Sequence, residues 1–175
     1  MAVFEGYISS QQLLSPDVLD AYAPDSREYY LKEFAKNKST GLDVEFDKMF
    51  IKAAKMEKMF YDAGGLLTVG TDPTGNGGVL AGYGNWRAIE LLVEAGGFTP
   101  LQAIKVATLN GAIALGINDK AGTIEPGKQA DLVIVEGDPS KNIGDIRKVS
   151  LVFKNGVGYN SKRLFESVKG KVGFY

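Results

Sequence analysis

Apolar residues recur at helical spacing between Asp43 and Phe60, with lysines on the opposite side. Gly64 and Gly65 follow as a stop signal, so the pattern predicts one amphipathic helix. Two proline-led segments upstream, Ser15-Pro16-Asp17 and Pro24-Asp25-Ser26, each predict the start of a short helix. We expect the apolar stripe to pack in the core rather than to bind a cofactor. It consists of Phe46, Met49, Phe50, Ala53, Met56 and Phe60.

The residues from Leu66 to Thr71 are apolar at consecutive positions, and glycine-rich sequence follows them. A short run of this kind is typical of a strand that is buried on both faces, as in a parallel sheet. A second helix is predicted from Trp86 to Ala95, with Asn85 as its N-cap and Gly96-Gly97 as its end. The predicted order is therefore helix, strand, loop, helix.

Helix signals continue at Thr99, where Pro100 and Gln102 complete a capping box with an N1 proline. We expect the helix to direct Leu101, Ile104, Ala107 and Thr108 inward. Asn110-Gly111 is predicted to break it, and a short second helix then ends at Gly116. The pattern therefore predicts a pair of helices.

Strand signals replace helix signals after Gly122. Leu132 to Val135 and Val149 to Lys154 are apolar runs, and Asn155-Gly156 is a strong hairpin signal before a third strand. These strands predict a small antiparallel unit, and a short helix from Ser161 to Val168 follows. One buried strand cannot form a parallel sheet, so we expect the α/β part to pair with another copy or to belong to a longer protein.

Composition excludes several classes of function. The 175 residues carry 20 basic and 21 acidic side chains, a net charge of -1, and no dense basic run, which disfavours nucleic acid and membrane surfaces as partners. The absence of cysteine excludes disulfides, cysteine-bound zinc and a thiol nucleophile. No long apolar run predicts a membrane span, so we expect a soluble protein, whether cytoplasmic or exported.

Three stretches resemble the C-terminal portion of metal-dependent amidohydrolases of the imidazolonepropionase-like and prolidase-like kind. They are VGTD at 69–72, ELLVEAG, TPLQAI and ATLNGA between 90 and 112, and GTIEPGKQADLV at 122–133. The resemblance implies an α/β fold in which Leu66 to Thr71 is the last strand of a (β/α)₈ barrel. Residues 1–116 would form the C-terminal part of the barrel, and residues 117–175 would return to a small β-sandwich.

The same resemblance implies a role for Asp72 as a catalytic residue and a metal ligand. In the family, such an aspartate follows the last strand, contacts a divalent metal, typically zinc, and takes a proton from metal-bound water. The other ligands are histidines, and this chain has none. Catalytic zinc needs about three protein ligands. We therefore expect this chain alone to be inactive and to bind no metal tightly.

Alternatives remain for the candidate site residues. Asp72 is followed by proline, threonine and glycine, which is also ordinary turn or helix-cap chemistry. Tyr83 and Trp86 follow the glycine-rich loop and are either substrate contacts or packing residues. Glu90 and Glu94 lie one helical turn apart, and we expect both on a solvated face. The spacing of the loop glycines argues against a phosphate-binding loop, and for Asp131 and Asp138 we expect turn and strand-end roles.

Two functions from different classes follow from these observations. The first is a fragment of a hydrolase that acts on C–N bonds of a small amide, cyclic amide or dipeptide-like substrate. The second is a non-catalytic, self-associating α/β domain derived from an amidohydrolase, because unpaired strands and apolar helix faces would otherwise aggregate. The expected partner of the chain is either another copy of itself or the missing N-terminal part of the same protein.

Overall fold

A computed structural model of the chain describes residues 14–39, 43–71, 80 and 82–173. Helices fill the first two thirds of the described chain, and a small antiparallel sheet and one further helix follow, which confirms an α/β chain with a small antiparallel sheet. The helices are α1 Pro16–Leu19, α2 Pro24–Ser39, α3 Asp43–Asp62, α4 Tyr83–Glu94, α5 Pro100–Lys105, α6 Gly111–Ala114 and α7 Ser161–Val168. The strands are β1 Leu132–Val135, β2 Val149–Lys154 and β3 Val157–Asn160.

Helix α3 is confirmed, but its apolar stripe is only partly covered. Phe46 and Phe50 pack against Ala88 and Leu91 of α4, and Val69 joins the same cluster. The expectation that the whole stripe is core is wrong for Met49, Met56 and Phe60, whose side chains are exposed. The stripe is wider than the surface that α4 offers it, so its far side has no cover within the described residues.

The segment 66–71 is extended but belongs to no sheet among the described residues. Its side chains alternate: Leu67 and Val69 pack against α4 and the residues beyond it, whereas Leu66 is 47% exposed. The described residues therefore do not show the predicted strand buried on both faces, and that strand stays a prediction. A parallel strand needs hydrogen-bonded neighbours, and the described part of the chain supplies none.

The capping box at Thr99 is confirmed. The Gln102 backbone N–H donates to Thr99 Oγ1 at 3.2 Å, and the Thr99 N–H donates to Gln102 Oε1 at 2.9 Å. The predicted N-cap of α4 is wrong, because the helix begins at Tyr83 and its N-cap is Gly82 rather than Asn85. Gly97, with φ of 73°, follows the end of α4 as expected.

The predicted break at Asn110-Gly111 is wrong. Helix α5 continues through a π-helical turn, Val106–Asn110, directly into α6, and Gly111 has ordinary helical angles. The inward face also differs from the prediction, because Ala103, Val106 and Asn110 are buried whereas Leu101 is 64% exposed. The buried positions 103, 106 and 110 still follow regular helical spacing, so the helix has the predicted period but presents a different face to the core.

The β unit follows its sequence pattern. Strands β1, β2 and β3 form one antiparallel sheet in that order, with a register irregularity between Ile134 and Val135. Asn155 and Gly156 have φ of 50° and 78° and join β2 to β3, which confirms the hairpin. Both residues need positive φ in a two-residue turn, and asparagine and glycine tolerate it best.

The C-terminal residues return to the first helices. The Val172 N–H donates to the Ala21 carbonyl at 2.9 Å, and the Ala23 N–H donates to the Val172 carbonyl at 2.8 Å. Phe165 of α7 and Val172 pack on the cluster that contains Leu19 and Tyr22. Among the residues that the structure describes, no helix combines the length and the apolar character needed to cross a bilayer.

Candidate functional site

The predicted site residue Asp72 lies outside the described residues, as do the seven positions after it. The structure describes the segment 66–71 that leads to Asp72, then Leu80, and then the start of α4. The structure therefore shows which contacts hold the residues on either side of the predicted site.

The segment 66–71 is fixed from one side by packing and by one polar contact. Leu67 and Val69 lie against a buried cluster that includes Leu92 and Val106. Asn110, 5% exposed, donates from Nδ2 to the Leu67 carbonyl at 2.9 Å. A buried amide that finds a backbone carbonyl satisfies both groups away from water. This contact joins two parts of the chain that are 43 residues apart.

Tyr83 and Trp86, the predicted substrate contacts, lie in the first turn of α4. The Tyr83 ring packs on the cluster that contains Tyr22 and Leu80, and the Arg147 guanidinium lies 5.3 Å from its centroid. That distance is within the range of a cation–π contact. Trp86 is half-buried. Tyr83 therefore has a packing role in this structure, and a contact of either residue with substrate stays a prediction.

Glu90 is the most buried charged side chain among the described residues, at 2% exposure. Its carboxylate accepts hydrogen bonds from Arg147 Nε and Nη2, and from Arg87 Nη1 at 2.9 Å. The hydrogen bond to Glu90 raises the pKa of Arg147 above its usual value. Ionised partners on both sides compensate for the cost of removing the carboxylate from water.

The expectation of a solvated face is therefore wrong for Glu90 and confirmed for Glu94, which is half exposed and pairs with Arg87 at 2.8 Å. The reason is Arg147, in a 3-10 turn at Ile143–Arg147 that packs on α4. Sequence reasoning missed both Arg147 and Asn110. No local pattern marks a partner that lies 57 residues away, as Arg147 does from Glu90, or 43 residues away, as Asn110 does from Leu67. The one available signal was that asparagine is an uncommon residue in a helix interior.

Asp131 and Asp138 have the expected turn and strand-end roles. Asp131 accepts from the Asn155 N–H at 2.7 Å and from Lys154 Nζ at 2.5 Å, so it ties the start of β1 to the turn between β2 and β3. Asp138 accepts from the Ser140 N–H at 3.1 Å within its own turn. These contacts account for both carboxylates without a ligand.

The residues present do not fit a catalytic metal. The chain contains no histidine and no cysteine. In the described ranges, no three acidic side chains come together in a way that could hold an ion. A single carboxylate at Asp72 falls short of the three protein ligands of a catalytic zinc site. Any metal chemistry would need ligands from outside this chain.

Residues 47–158, which run from within α3 to within β3, match the Amidohydrolase family. The chain belongs to the amidohydrolase family. The match covers each of the three stretches on which the resemblance was based, and it confirms that resemblance.

Individual relatives agree with the family match. An imidazolonepropionase from Thermoplasma volcanium is 39% identical over 72 residues, which is 39% of this chain and 18% of that protein. A dihydroorotase from Pelotomaculum thermopropionicum is 48% identical over 59 residues, covering 34% of this chain and 13% of that protein. The amidohydrolase chain thus matches less than a fifth of either curated relative.

A solved structure is similar over more of the chain. The crystal structure of a Xaa-Pro dipeptidase with bound methionine in the active site superimposes with a TM-score of 0.53 at 29% identity. The superposition covers 82% of this chain and 34% of the dipeptidase chain. The likeness therefore extends over most of the chain.

Proposed function

We propose that this chain is part of a metal-dependent hydrolase that acts on C–N bonds of a small amide, cyclic amide or dipeptide-like substrate. The observation that carries the proposal is the family match over residues 47–158. The names of the relatives, an imidazolonepropionase, a dihydroorotase and a Xaa-Pro dipeptidase, support this substrate range.

We further propose that the segment 66–71 is the last strand of a (β/α)₈ barrel, with α3 and α4 on its outside. Residues 1–116 would then belong to the barrel and residues 117–175 to a β-sandwich return. The alternating burial of side chains along the segment supports this assignment, because Leu67 and Val69 pack on helices while Leu66 is exposed on the other face. Barrel strands have helices on one side and the barrel interior on the other.

Asp72 is the residue that we assign to the active site of the complete enzyme. Barrel enzymes carry their catalytic groups just beyond the carboxyl ends of the strands, and Asp72 directly follows the proposed strand. Tyr83 and Trp86, at the far end of the same loop, are the proposed substrate contacts. Since the chain lacks the other metal ligands, we propose that it has no hydrolase activity by itself.

The test begins with the 175-residue chain, purified and assayed with zinc on a panel of dipeptides, cyclic amides and simple amides. We expect no turnover and no metal retained after gel filtration. Metal-dependent hydrolysis by this chain alone would overturn the proposal of an inactive chain.

A second experiment reads the genomic sequence upstream of Met1 for an open frame that encodes His-x-His. If it is present, the longer product should hydrolyse at least one substrate of the panel. Asp72→Asn should then lower the rate of hydrolysis by at least about a hundredfold, because a side chain that holds or moves a proton in the reaction accelerates it by at least about that factor. Asp119→Asn, at an exposed position, is the matched control.

A non-catalytic, self-associating domain is the second candidate. It is favoured by Met56, Met59 and Phe60, which share one side of α3 and are 69%, 70% and 52% exposed. Contiguous exposed apolar groups of this kind mark interaction surfaces. Light scattering after gel filtration distinguishes the candidates, since a monodisperse monomer would contradict self-association. Charged substitutions at Met56 and Met59 should dissociate an oligomer that this surface forms.

A further inference from the structure

We infer that Asn110 is a positioning residue that fixes the register of the segment 66–71, and with it the point at which Asp72 leaves that segment. The catalytic importance of this role rests on the proposed function. The structural part of the inference stands on the described residues alone.

The first observation is the contact itself. Asn110 is nearly inaccessible to solvent, and its Nδ2 donates to the Leu67 carbonyl at 2.9 Å. No sheet includes Leu67 within the described ranges, and Asn110 Nδ2 is the donor that the structure gives its carbonyl. A partly buried carbonyl left without a donor is destabilising. The amide of Asn110 is thus a specific reason for Leu67 to occupy this axial position and no other.

The second observation is the π turn that presents the amide. Val106–Asn110 is π-helical between two α-helical pieces, and both Val106 and Asn110 are buried on the side of the segment. π turns are rare and occur frequently at functional sites. Val106 and Asn110 stand four residues apart, so the turn presents an apolar side chain and a polar one on the same face. Val106 packs beside Leu67, and Asn110 binds its carbonyl.

Register matters because of the two-residue period of an extended chain. Leu67 and Val69 face the helices, and a slip by one residue would turn both of them outward and bring Leu66 and Thr68 in. Packing alone strongly disfavours a shift by one residue. It disfavours a shift by two residues less strongly, because the same alternate side chains then still face the helices. The Asn110 hydrogen bond distinguishes these registers, since it is specific for one carbonyl. Asp72, five positions beyond Leu67, then starts from a fixed point.

The experiment is an NMR measurement of backbone order parameters for residues 67–71 in the full chain. The variants are Asn110→Asp and Asn110→Ala. The matched control is Thr108→Val, which removes the Thr108 hydroxyl bond to the Ile104 carbonyl in the same turn but does not touch the segment. In the unsubstituted chain we expect values near about 0.85, typical of rigid backbone, and below about 0.6 in the two Asn110 variants at neutral pH. The control should match the unsubstituted chain.

Asn110→Asp supplies a rescue that a general loss of stability would not give. The ionised carboxylate cannot donate to the Leu67 carbonyl, whereas the protonated acid can. Lowering the pH through the pKa of the new side chain should therefore restore order to residues 67–71 in a single folded sample. Unchanged order parameters in Asn110→Asp across this titration, or equal loss of order in Thr108→Val, would overturn the inference, even if Asn110→Ala does not fold.

The catalytic consequence is measured separately in the longer, active product. Asn110→Asp should lower kcat by about tenfold and leave KM within about twofold, with recovery toward acid pH, because misplacing a reacting group slows the chemical step. If no substrate is hydrolysed by any longer product, the proposed function fails while the NMR result still decides the positioning role. If order is lost in this chain but kcat is unchanged in the longer product, the catalytic part of the inference is overturned, whereas the NMR result still decides the structural part.

Discussion

Replacing Glu90 by alanine should destabilise the chain by more than any surface substitution. The carboxylate is 2% exposed and accepts three hydrogen bonds from Arg87 and Arg147. These bonds hold the 3-10 turn Ile143–Arg147 of the β unit against α4. Removing the acid leaves two guanidinium groups next to a cavity with no anion between them.

The magnitude depends on what the arginines can do afterwards. Removing one partner of a buried ion pair costs about 3–5 kcal/mol. Arg147 is 39% exposed and can turn to water, and Arg87 keeps its pair with Glu94 at 2.8 Å. We therefore expect the lower end of that range, about 3 kcal/mol. For a chain of this length that corresponds to a lowering of Tm by about 6–12 °C.

Urea denaturation followed by circular dichroism measures the free energy of unfolding for Glu90→Ala, Glu90→Gln and Arg147→Ala. Glu94→Ala is the matched control, because it removes an exposed partner of the same Arg87 and should cost under about 1 kcal/mol. The double variant Glu90→Ala with Arg147→Ala should lose less than the sum of the two single changes, since the arginine is no longer left unpaired. Equal costs for Glu90→Ala and Glu94→Ala would refute the reasoning.

The remaining predictions concern a glycine pair and an acid transition. Gly122 and Gly127 have similar φ, 94° and 89°. A Cβ added at Gly122 would lie 2.6 Å from Ala112 Cβ, whereas a Cβ added at Gly127 would meet no atom of the described residues within 4 Å. Gly127→Ala should cost about 1–2 kcal/mol for its positive φ, and Gly122→Ala about 1–3 kcal/mol more in the same denaturation assay. Equal costs would contradict the clash. Hydrogen bonds from the Asn155 N–H and then from Lys154 lower the pKa of Asp131 below its ordinary value of 3.8. The ionised Asp131 therefore contributes its full stability above pH 3.8, and this contribution is lost as the pH falls through the lowered pKa. Urea midpoints should therefore fall on acidification below about pH 4, and Asp131→Asn should make that fall shallower. An unchanged pH dependence would contradict the role of this carboxylate.

The sequence predicted those elements whose signals are local. The capping box at Thr99 is made by three neighbouring residues, and the hairpin at Asn155-Gly156 needs only positive φ at two positions. Both depend on backbone geometry within a few residues and need no partner elsewhere in the chain. The family resemblance was likewise readable from the motifs, and the family match confirms it.

Tertiary structure alone decided where long-range partners lie. The sequence predicts a solvent-exposed Glu90, but in the structure Arg147, 57 residues later, binds its carboxylate in the interior. The sequence likewise predicts a helix break at Asn110, but the structure buries its amide against the Leu67 carbonyl. In both cases a polar group that would favour solvent or a turn when alone is stable in the interior because a distant partner satisfies it. The identity of the residues is set by the sequence, but the burial that changes their role exists only once the chain has folded.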